Sequence, residues 1–528
     1  MIREKIKNDL AEAVKKLGVE VGEIELTRTT DVKLGDFSTN IALKIRREIN
    51  QSPMEIAKKI ADSIGSQPYI DKLDVKEPGF INVFVKREYW QDEVVNVLNA
   101  GDKYGSNEVG KGKKARVEFV SANPTGPLHF GNARGGPIGD VLASVLAFSG
   151  YDVIREYYHN DLGGQVEKLG DSIINVANGG KAEDQEYKGE YVSDLAKQIG
   201  KVRDSREAGQ KAVEILLKAA TSDSADLGIE FDKVYAESEL INSGKTKSAI
   251  EELEKKGDLK KKNGAIWFAP SDEFLKDRET VVVKSDGNYT YFANDIAYHD
   301  LKFSENPDLV IDVFGANHHG HVPRLQAAIL ALGYDERKFH VILYQWVRFK
   351  SKGEVMKMSK RAGTFVTARE VLDEIGRDAL RFFILTYDPS SPIDFDLDLA
   401  KEKSNKNPVY YVQYAHARIS SILSKAQRQT TNAKTNYELL TTNYELDLIK
   451  QITRLPELVE DISRNFSVHQ LTTYARGLAD SFHLFYENCR VIGEKKELEE
   501  ARIALITATK IALENALMLL GISAPDKM

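Results

Sequence analysis

The sequence predicts a multidomain α/β protein: a parallel sheet with a helical insertion, preceded by an α+β module and followed by a helical bundle. Three observations carry this. Strand-like runs VEFVSAN, TVVVKSD, LVIDVFG and FHVILYQWVRF alternate with helical runs, the pattern of a parallel α/β sheet. From Asn407 and Pro408 onward almost every run is helical. At 528 residues the chain is too long for a single core, and length alone suggests roughly three or four domains.

The first element is MIREKIKNDLAEAVKKLG, with Ile2, Ile6, Leu10, Val14 and Leu17 on one helical face and a stop at Gly18. SPMEIAKKIADSI follows, opening with Ser52, Pro53 and Glu55 as a capping box with proline in the first turn. Strand-like LDVKEPGFINVFV completes a module assigned to residues 1–108, and the glycine- and lysine-rich GSNEVGKGKKAR leads out of it. The sheet domain is assigned to residues 109–390. A charged, mostly helical stretch at about 165–280 interrupts its alternation and reads as an insertion. Residues 391–528 form the helical domain, with VYYVQYAHARISSIL, DLIKQITRLPELVEDI, TTYARGLADSFHLFYENC and EARIALITATKIALENALMLLG as its helices.

Composition narrows the function classes. Hydrophobic content of 42% and charged content of 29% are ordinary for a soluble globular chain. No apolar run reads as a membrane span of roughly 20 residues, and MIREKIKNDL lacks a signal peptide's apolar stretch. A cytoplasmic protein is expected. Its one cysteine, Cys489, rules out an internal disulfide and a multi-cysteine zinc site, and is expected as a small buried side chain in a helix. Acidic residues outnumber basic ones, 80 to 73, which argues against a nonspecific DNA binder but leaves room for a local basic face.

Three motif matches fail on inspection. GSNEVGKG has phosphate-loop spacing, but Gly112 stands where Ser or Thr is needed; SGKT has Glu239 in place of the first glycine; and NHHGH lacks a carboxylate at metal-ligand spacing. SANPTGPLHFGNARGG, residues 121–136, is harder to dismiss. Pro124 and Pro127 stiffen it, Gly131 admits a close backbone approach, and His129 and Asn132 stand at a helix mouth that favours an anion. These residues suit a nucleotide phosphate site; they also suit a capped helix with a surface histidine. In VMKMSKRAGTFV, Lys357, Ser359 and Lys360 lie in a glycine-bounded loop after the last long strand, placed to neutralise phosphate charge or simply to be solvated.

The pair, HFGN after the first sheet strand and KMSK after the last, resembles the two signatures of class I aminoacyl-tRNA synthetases. With EFVSANPTGPLHFGN, YYHNDLGGQ, YFANDIAYH, GANHHGHVPR, DALRFF, NPVYYVQYAHARI and LLGISAPDKM, nearly the whole chain resembles the arginyl-tRNA synthetase family in segment order. Two positions depart: Asn132 stands where the first signature ends in His, and Asn317 where the family typically has Asp. Asparagine donates a hydrogen bond but carries no charge.

The resemblance implies a Rossmann-like, doubly wound parallel sheet and an arginine–tRNA ligase that takes Mg-ATP as substrate, with no tightly bound metal or organic cofactor. Its partners would be L-arginine, ATP and tRNA(Arg), with no DNA or membrane, and a monomer is expected. His129, Gly131, Asn132, Lys357, Met358, Ser359 and Lys360 would bind ATP, with His129, Asn132, Lys357 and Lys360 stabilising its charge in catalysis. Ser121, Asn123 and Asn132 would hold the amino acid, with His318 nearby. A guanidinium needs carboxylates in planar, bidentate arrangement. Glu118 and Asp295, with Tyr291 one turn before Asp295, suit that need, although a paired core acid and a helix-start acid have the same appearance. Asn40, within GDFSTNIALKIRR, and Tyr410, Tyr414 and Arg418 would contact tRNA; the tyrosines equally suit core packing. The implied reaction charges the terminal 2′-hydroxyl and needs tRNA bound before activation. The rivals are another class I synthetase, a small-molecule nucleotidyltransferase and a noncatalytic tRNA-binding relative.

Overall fold

Five parallel strands form the central sheet, in the order Phe339–Tyr344, Leu309–Gly315, Lys114–Glu118, Asp152–His159, Lys233–Ala236. The computed structural model describes residues 1–29, 31–270, 279–352, 354–355, 366–426 and 435–528. Lys114–Glu118 and Leu309–Gly315 are buried along most of their length, as strands covered on both faces are; the second is mostly apolar, whereas the first buries Arg116 and Glu118 as ion pairs. The chain leaves the central strand Lys114–Glu118, builds one side of the sheet and later the other, so a crevice opens at the carboxyl ends where the order reverses.

Two strand expectations change, and the sheet gains two further strands. TVVVKSD is not part of this sheet: Thr280–Val283 pairs antiparallel with Ala265–Phe268, which pairs with Leu259–Lys262 in a separate three-stranded sheet. A short apolar run carries no information about which sheet it joins. FHVILYQWVRF breaks at Gln345, whose amide donates to the Pro389 carbonyl, and Val347–Ser351 pairs instead with Ile393–Asp396. The central sheet also takes Asp152–His159 and Lys233–Ala236, the second from within the stretch expected to be mostly helical.

Between residues 164 and 256 run the helices Gly164–Ala177, Glu190–Ile199, Ser205–Asp226, Glu237–Asn242 and Lys245–Lys256, with Lys233–Ala236 returning to the main sheet among them. In the N-terminal module helix Ile2–Lys16 buries Ile2, Ile6, Leu10 and Val14. Helix Pro53–Ile64 carries the expected reciprocal Ser52–Glu55 capping box, and a four-stranded sheet lies beside these helices. The C-terminal bundle comprises Pro408–Lys425, Asn443–Ile452, Arg454–Asn465, Gln470–Asn488 and Lys496–Leu520. Cys489 is buried at the end of Gln470–Asn488. Helix Lys496–Leu520 is long and apolar enough to cross a membrane by length and composition, contrary to the sequence expectation; it runs through the bundle, buried over most of its length.

Arg381, on helix Arg377–Leu385, joins three parts of the molecule. Fully buried, it donates to the Leu520 carbonyl at 2.8 Å, to the Leu227 carbonyl at 3.0 Å and to Asp140 at 2.6 Å. A Cβ on Gly521 would sit 2.3 Å from the Arg381 guanidinium, so only glycine, in its left-handed conformation, closes the last helix there.

Candidate functional site

The first sheet strand ends at Glu118, and the backbone then turns through positive φ at Val120 and Ser121, 67° and 38°. For a β-branched residue this is strained, at a cost on the order of 1–3 kcal/mol. The turn aims the loop at the next strand: Ser121 Oγ accepts from the Tyr158 amide and Asn123 Oδ1 from the Asn160 amide, both at 3.1 Å.

His129 then caps the short helix Phe130–Ala133 in an unexpected way. Its Nδ1 accepts the Gly131 amide at 2.8 Å, and a Cβ on Gly131 would lie 2.9 Å from that nitrogen. The space glycine provides is therefore filled by the His129 ring. Because Nδ1 accepts, the ring proton resides on Nε2, which makes Nε2 a donor. Asn132 presents its carbonyl to the Tyr344 hydroxyl at 3.3 Å. Arg134 is buried just beyond, donating to the Gln345 and Asp388 carbonyls, and burial lowers its pKa to about 10.

Lys357, Met358, Ser359 and Lys360 lie outside the described residues. The chain on the far side of that segment is fixed, however, against the first motif. The Phe130 amide donates to the Val366 carbonyl at 3.1 Å, the Ala368 amide to the Leu128 carbonyl at 2.8 Å, and His129 bridges to Thr367. The two signature segments are thus stitched together by backbone, with Phe130 packed edge-on against Phe349 and Phe395 below.

Across the crevice, helix Tyr291–Ser304 begins at the carboxyl edge of the sheet, capped by Thr290. Asp295, on its second turn, is 2.9 Å from His321 Nε2, and Tyr291, 60% exposed, lies with its ring 6.0 Å from that histidine. His318 packs on Phe314, and burial, then His321, lowers its pKa. Within NHHGH it is therefore His321 that pairs with this acid, and the His318 ring lies 6.3 Å from the His321 ring. Among the described residues no group of three or more His, Cys, Asp or Glu side chains is placed to hold a metal ion.

Glu237 was not singled out from sequence. It is buried at the start of helix Glu237–Asn242 and accepts from Asn294, which in turn accepts from Thr246 at 2.9 Å. Burial first, and then the charges of Asp295 and Asp161, push its carboxyl up to about 7. Nothing in ESELIN separates it from an ordinary first-turn acid; only the sheet's return through Lys233–Ala236 delivers it here.

Glu118 goes elsewhere. Its carboxylate is 2.5 Å from the Nζ of Lys302, which also holds Asp312 at 2.7 Å, while Asp312 accepts His299 at 2.8 Å; all four are buried. It is the lysine-paired core acid that the sequence also allowed. Burial pushes the Glu118 carboxyl up to about 7, whereas for Asp312 the opposing effect of burial is overcome by Lys302 and His299. Since the His299 Nδ1 contacts the Asp295 carbonyl at 2.7 Å, this cluster braces the acid-bearing helix from behind.

On the bundle, Tyr410 and Tyr414 stack with centroids 6.5 Å apart, Arg418 donates to the Tyr414 hydroxyl at 2.6 Å, and its guanidinium lies 4.4 Å from the Tyr486 ring. His483 adds a ring 6.0 Å from Tyr414. A cleft of about 440 Å³ opens beside them, lined by Phe383, Lys406, Tyr411, Arg476 and Asp480. Asn40 stands on the N-terminal module before helix Ile41–Ile49, hydrogen-bonded to Glu25.

Three sequence-family models match the chain: arginyl tRNA synthetase N terminal domain over residues 2–85, tRNA synthetases class I (R), catalytic domain, over 93–186 and 176–385, and DALR anticodon binding domain over 412–528. The arginine–tRNA ligase of Citrifermentans bemidjiense is 43% identical over 530 residues, spanning 96% of each chain. That of Oceanobacillus iheyensis is 40% identical over 547 residues, spanning 100% of this chain and 98% of the relative. The arginyl-tRNA synthetase structure from Thermus thermophilus superimposes with a TM-score of 0.83 at 23% identity over 100% of both chains. The Plasmodium falciparum structure gives 0.79 at 21%, over 100% of this chain and 99% of that one; these two likenesses concern the fold.

Proposed function

The chain belongs to the arginyl-tRNA synthetase family, and from that premise we propose how its residues divide the reaction. It activates L-arginine with ATP to arginyl-adenylate and pyrophosphate, then transfers arginine to the terminal adenosine of tRNA(Arg).

In our reading Mg-ATP lies along the loop 121–136. His129 Nε2–H and the Asn132 amide donate to its phosphates, and Lys357, Ser359 and Lys360, with Met358 and Gly131 shaping the backbone, close from the other signature segment. Such work is positioning and charge neutralisation, which do most of phosphoryl-group chemistry. The backbone pairing of Leu128 and Phe130 with Val366 and Ala368 is the observation that carries this division, since it ties the end of one segment to the start of the other.

Arginine occupies the facing pocket. Asp295 and Glu237 take the guanidinium, Tyr291 and His318 flank it, and Ser121 and Asn123 orient the amino acid's backbone groups. Glu118 acts indirectly, through Lys302, by fixing the floor of that pocket. The arginine carboxylate then attacks the α-phosphorus in line, with pyrophosphate leaving. Asn40 contacts the tRNA body, and Tyr410, Tyr414 and Arg418, joined by His483 and Tyr486, receive unstacked anticodon bases. We place the enzyme in the cytoplasm as a monomer that requires tRNA for activation.

Pyrophosphate exchange with each amino acid, with and without tRNA, tests this. Exchange with arginine only in the presence of tRNA is the expected result; exchange driven by glutamate or lysine would overturn the pocket assignment.

A further inference from the structure

Resting on the placement of arginine between Asp295 and Glu237, the geometry points to the Tyr158 hydroxyl as a further specificity-determining group, one that accepts a hydrogen bond from the substrate guanidinium. Tyr158 is the penultimate residue of strand Asp152–His159, pinned by its amide to Ser121 Oγ. Its ring stacks on Tyr298 with centroids 4.5 Å apart and planes 11° apart. Tyr298 lies three residues beyond Asp295 on the same helix, so Tyr158 is packed against the acid-bearing helix itself.

The neighbouring phenols are spoken for. Tyr157 donates to the Ala122 carbonyl at 2.7 Å and Tyr298 to Glu156 at 2.9 Å. The Tyr158 hydroxyl is different: its oxygen is buried and has no hydrogen-bond partner among the described residues. A buried polar atom left unpaired costs stability, and such atoms are uncommon unless a ligand or water completes them.

The surroundings say which ligand. Burial, and then the negative charges of Asp295, Glu237, Glu118 and Asp161, hold this phenol well above its usual range, so it stays neutral. A neutral phenol oxygen among carboxylates has lone pairs for a cationic N–H and a proton for an acid. A planar guanidinium entering between Asp295 and Glu237 supplies that N–H; an ammonium, with fewer donors and no fixed plane, satisfies the set less well.

Tyr158→Phe removes the oxygen and keeps the stacked ring. The arginine KM is expected to rise about tenfold, with the ATP and tRNA KM values changed by less than about twofold. The melting temperature of the ligand-free protein should stay the same or rise, because the lost group was unsatisfied. An arginine KM within about twofold of the parent would overturn the assignment. So would a parallel rise in all three KM values with a lower melting temperature, which would make the hydroxyl structural. Asp295→Asn in the same assay separates the two levels of inference. If it leaves the arginine KM unchanged the pocket itself is misplaced; if it raises that KM while Tyr158→Phe does not, only the tyrosine assignment fails.

Discussion

In the proposed pocket, Glu237 is a single buried carboxyl that sets the working range. Its pKa is raised from about 4.5 to about 7, chiefly by burial and further by Asp295 and Asp161. A cationic guanidinium needs it ionised, so arginine binding must release a proton when the pH lies below about 7. The arginine KM should therefore rise as the pH falls below that value. In Glu237→Gln the KM should be high and flat across the same range, as steady-state kinetics from pH 6 to about 8.5 will read. Stability moves the other way. A carboxyl whose folded-state pKa is raised binds more protons folded than unfolded, so its contribution is full below about 4.5 and is lost as the pH rises through about 7. The ligand-free Gln variant should accordingly gain melting temperature over the parent at pH 8 and lose that advantage at pH 5, since Gln cannot charge.

At the scale of the element, helix Arg377–Leu385 is short, nine residues, yet it fastens the sheet to the bundle. Arg377 donates to the Gly521 carbonyl at 3.0 Å, Asp378 accepts the Ser523 amide, and Arg381 reaches Leu520, Leu227 and Asp140. The last of these lies on helix Gly135–Phe148, directly after the HFGN segment. Two arginines at the C-terminus of helix Lys496–Leu520 also complement its dipole. Arg381→Ala would take from buried Asp140 its 2.6 Å partner, leaving Arg155 at 3.6 Å, and would leave two carbonyls unpaired, at a cost on the order of 3 kcal/mol. Denaturant unfolding should show that loss, and Asp140→Ala in the Arg381→Ala background should cost much less than it does alone. Element types were legible in sequence where periodicity was strong, as in Ile2–Lys16 and the bundle. Sheet membership was not: TVVVKSD and Asp152–His159 differ in which neighbours they meet, and neighbours are a property of the fold.

For the whole molecule the same distinction explains which candidate site residues the sequence singles out. His129, Asn132, Asp295 and Tyr291 stand in motifs with fixed spacing, the first two just before and on the short helix Phe130–Ala133 and the others in the first two turns of helix Tyr291–Ser304. Glu237 and Tyr158 arrive through the strand order of the sheet, and Glu118 is drawn away by a lysine 184 residues later in the chain. Contacts between the terminal domains were equally hidden. Arg28 on the N-terminal module meets Glu457 of the bundle through two hydrogen bonds, at 2.8 and 2.9 Å, and donates to the Lys450 and Thr453 carbonyls. The same guanidinium lies 5.1 Å from the Phe37 ring and 5.4 Å from Trp90, while Lys450 reaches back to Asp36 at 2.6 Å. Five donors in a rigid plane suit one arginine to this many partners, so lysine cannot replace it. If the module and the bundle hold opposite parts of one tRNA, this joint fixes the distance between them without touching the active site. Arg28→Ala should then raise the tRNA KM in aminoacylation by about tenfold while the arginine and ATP KM values stay within about twofold. Hydrogen exchange should quicken in the segments flanking the joint, around Phe37 and Glu457, and not around His129. A variant whose arginine KM rises together with its tRNA KM would show that the joint supports the catalytic domain as well, and the division of labour argued for the two ends of the chain would not hold.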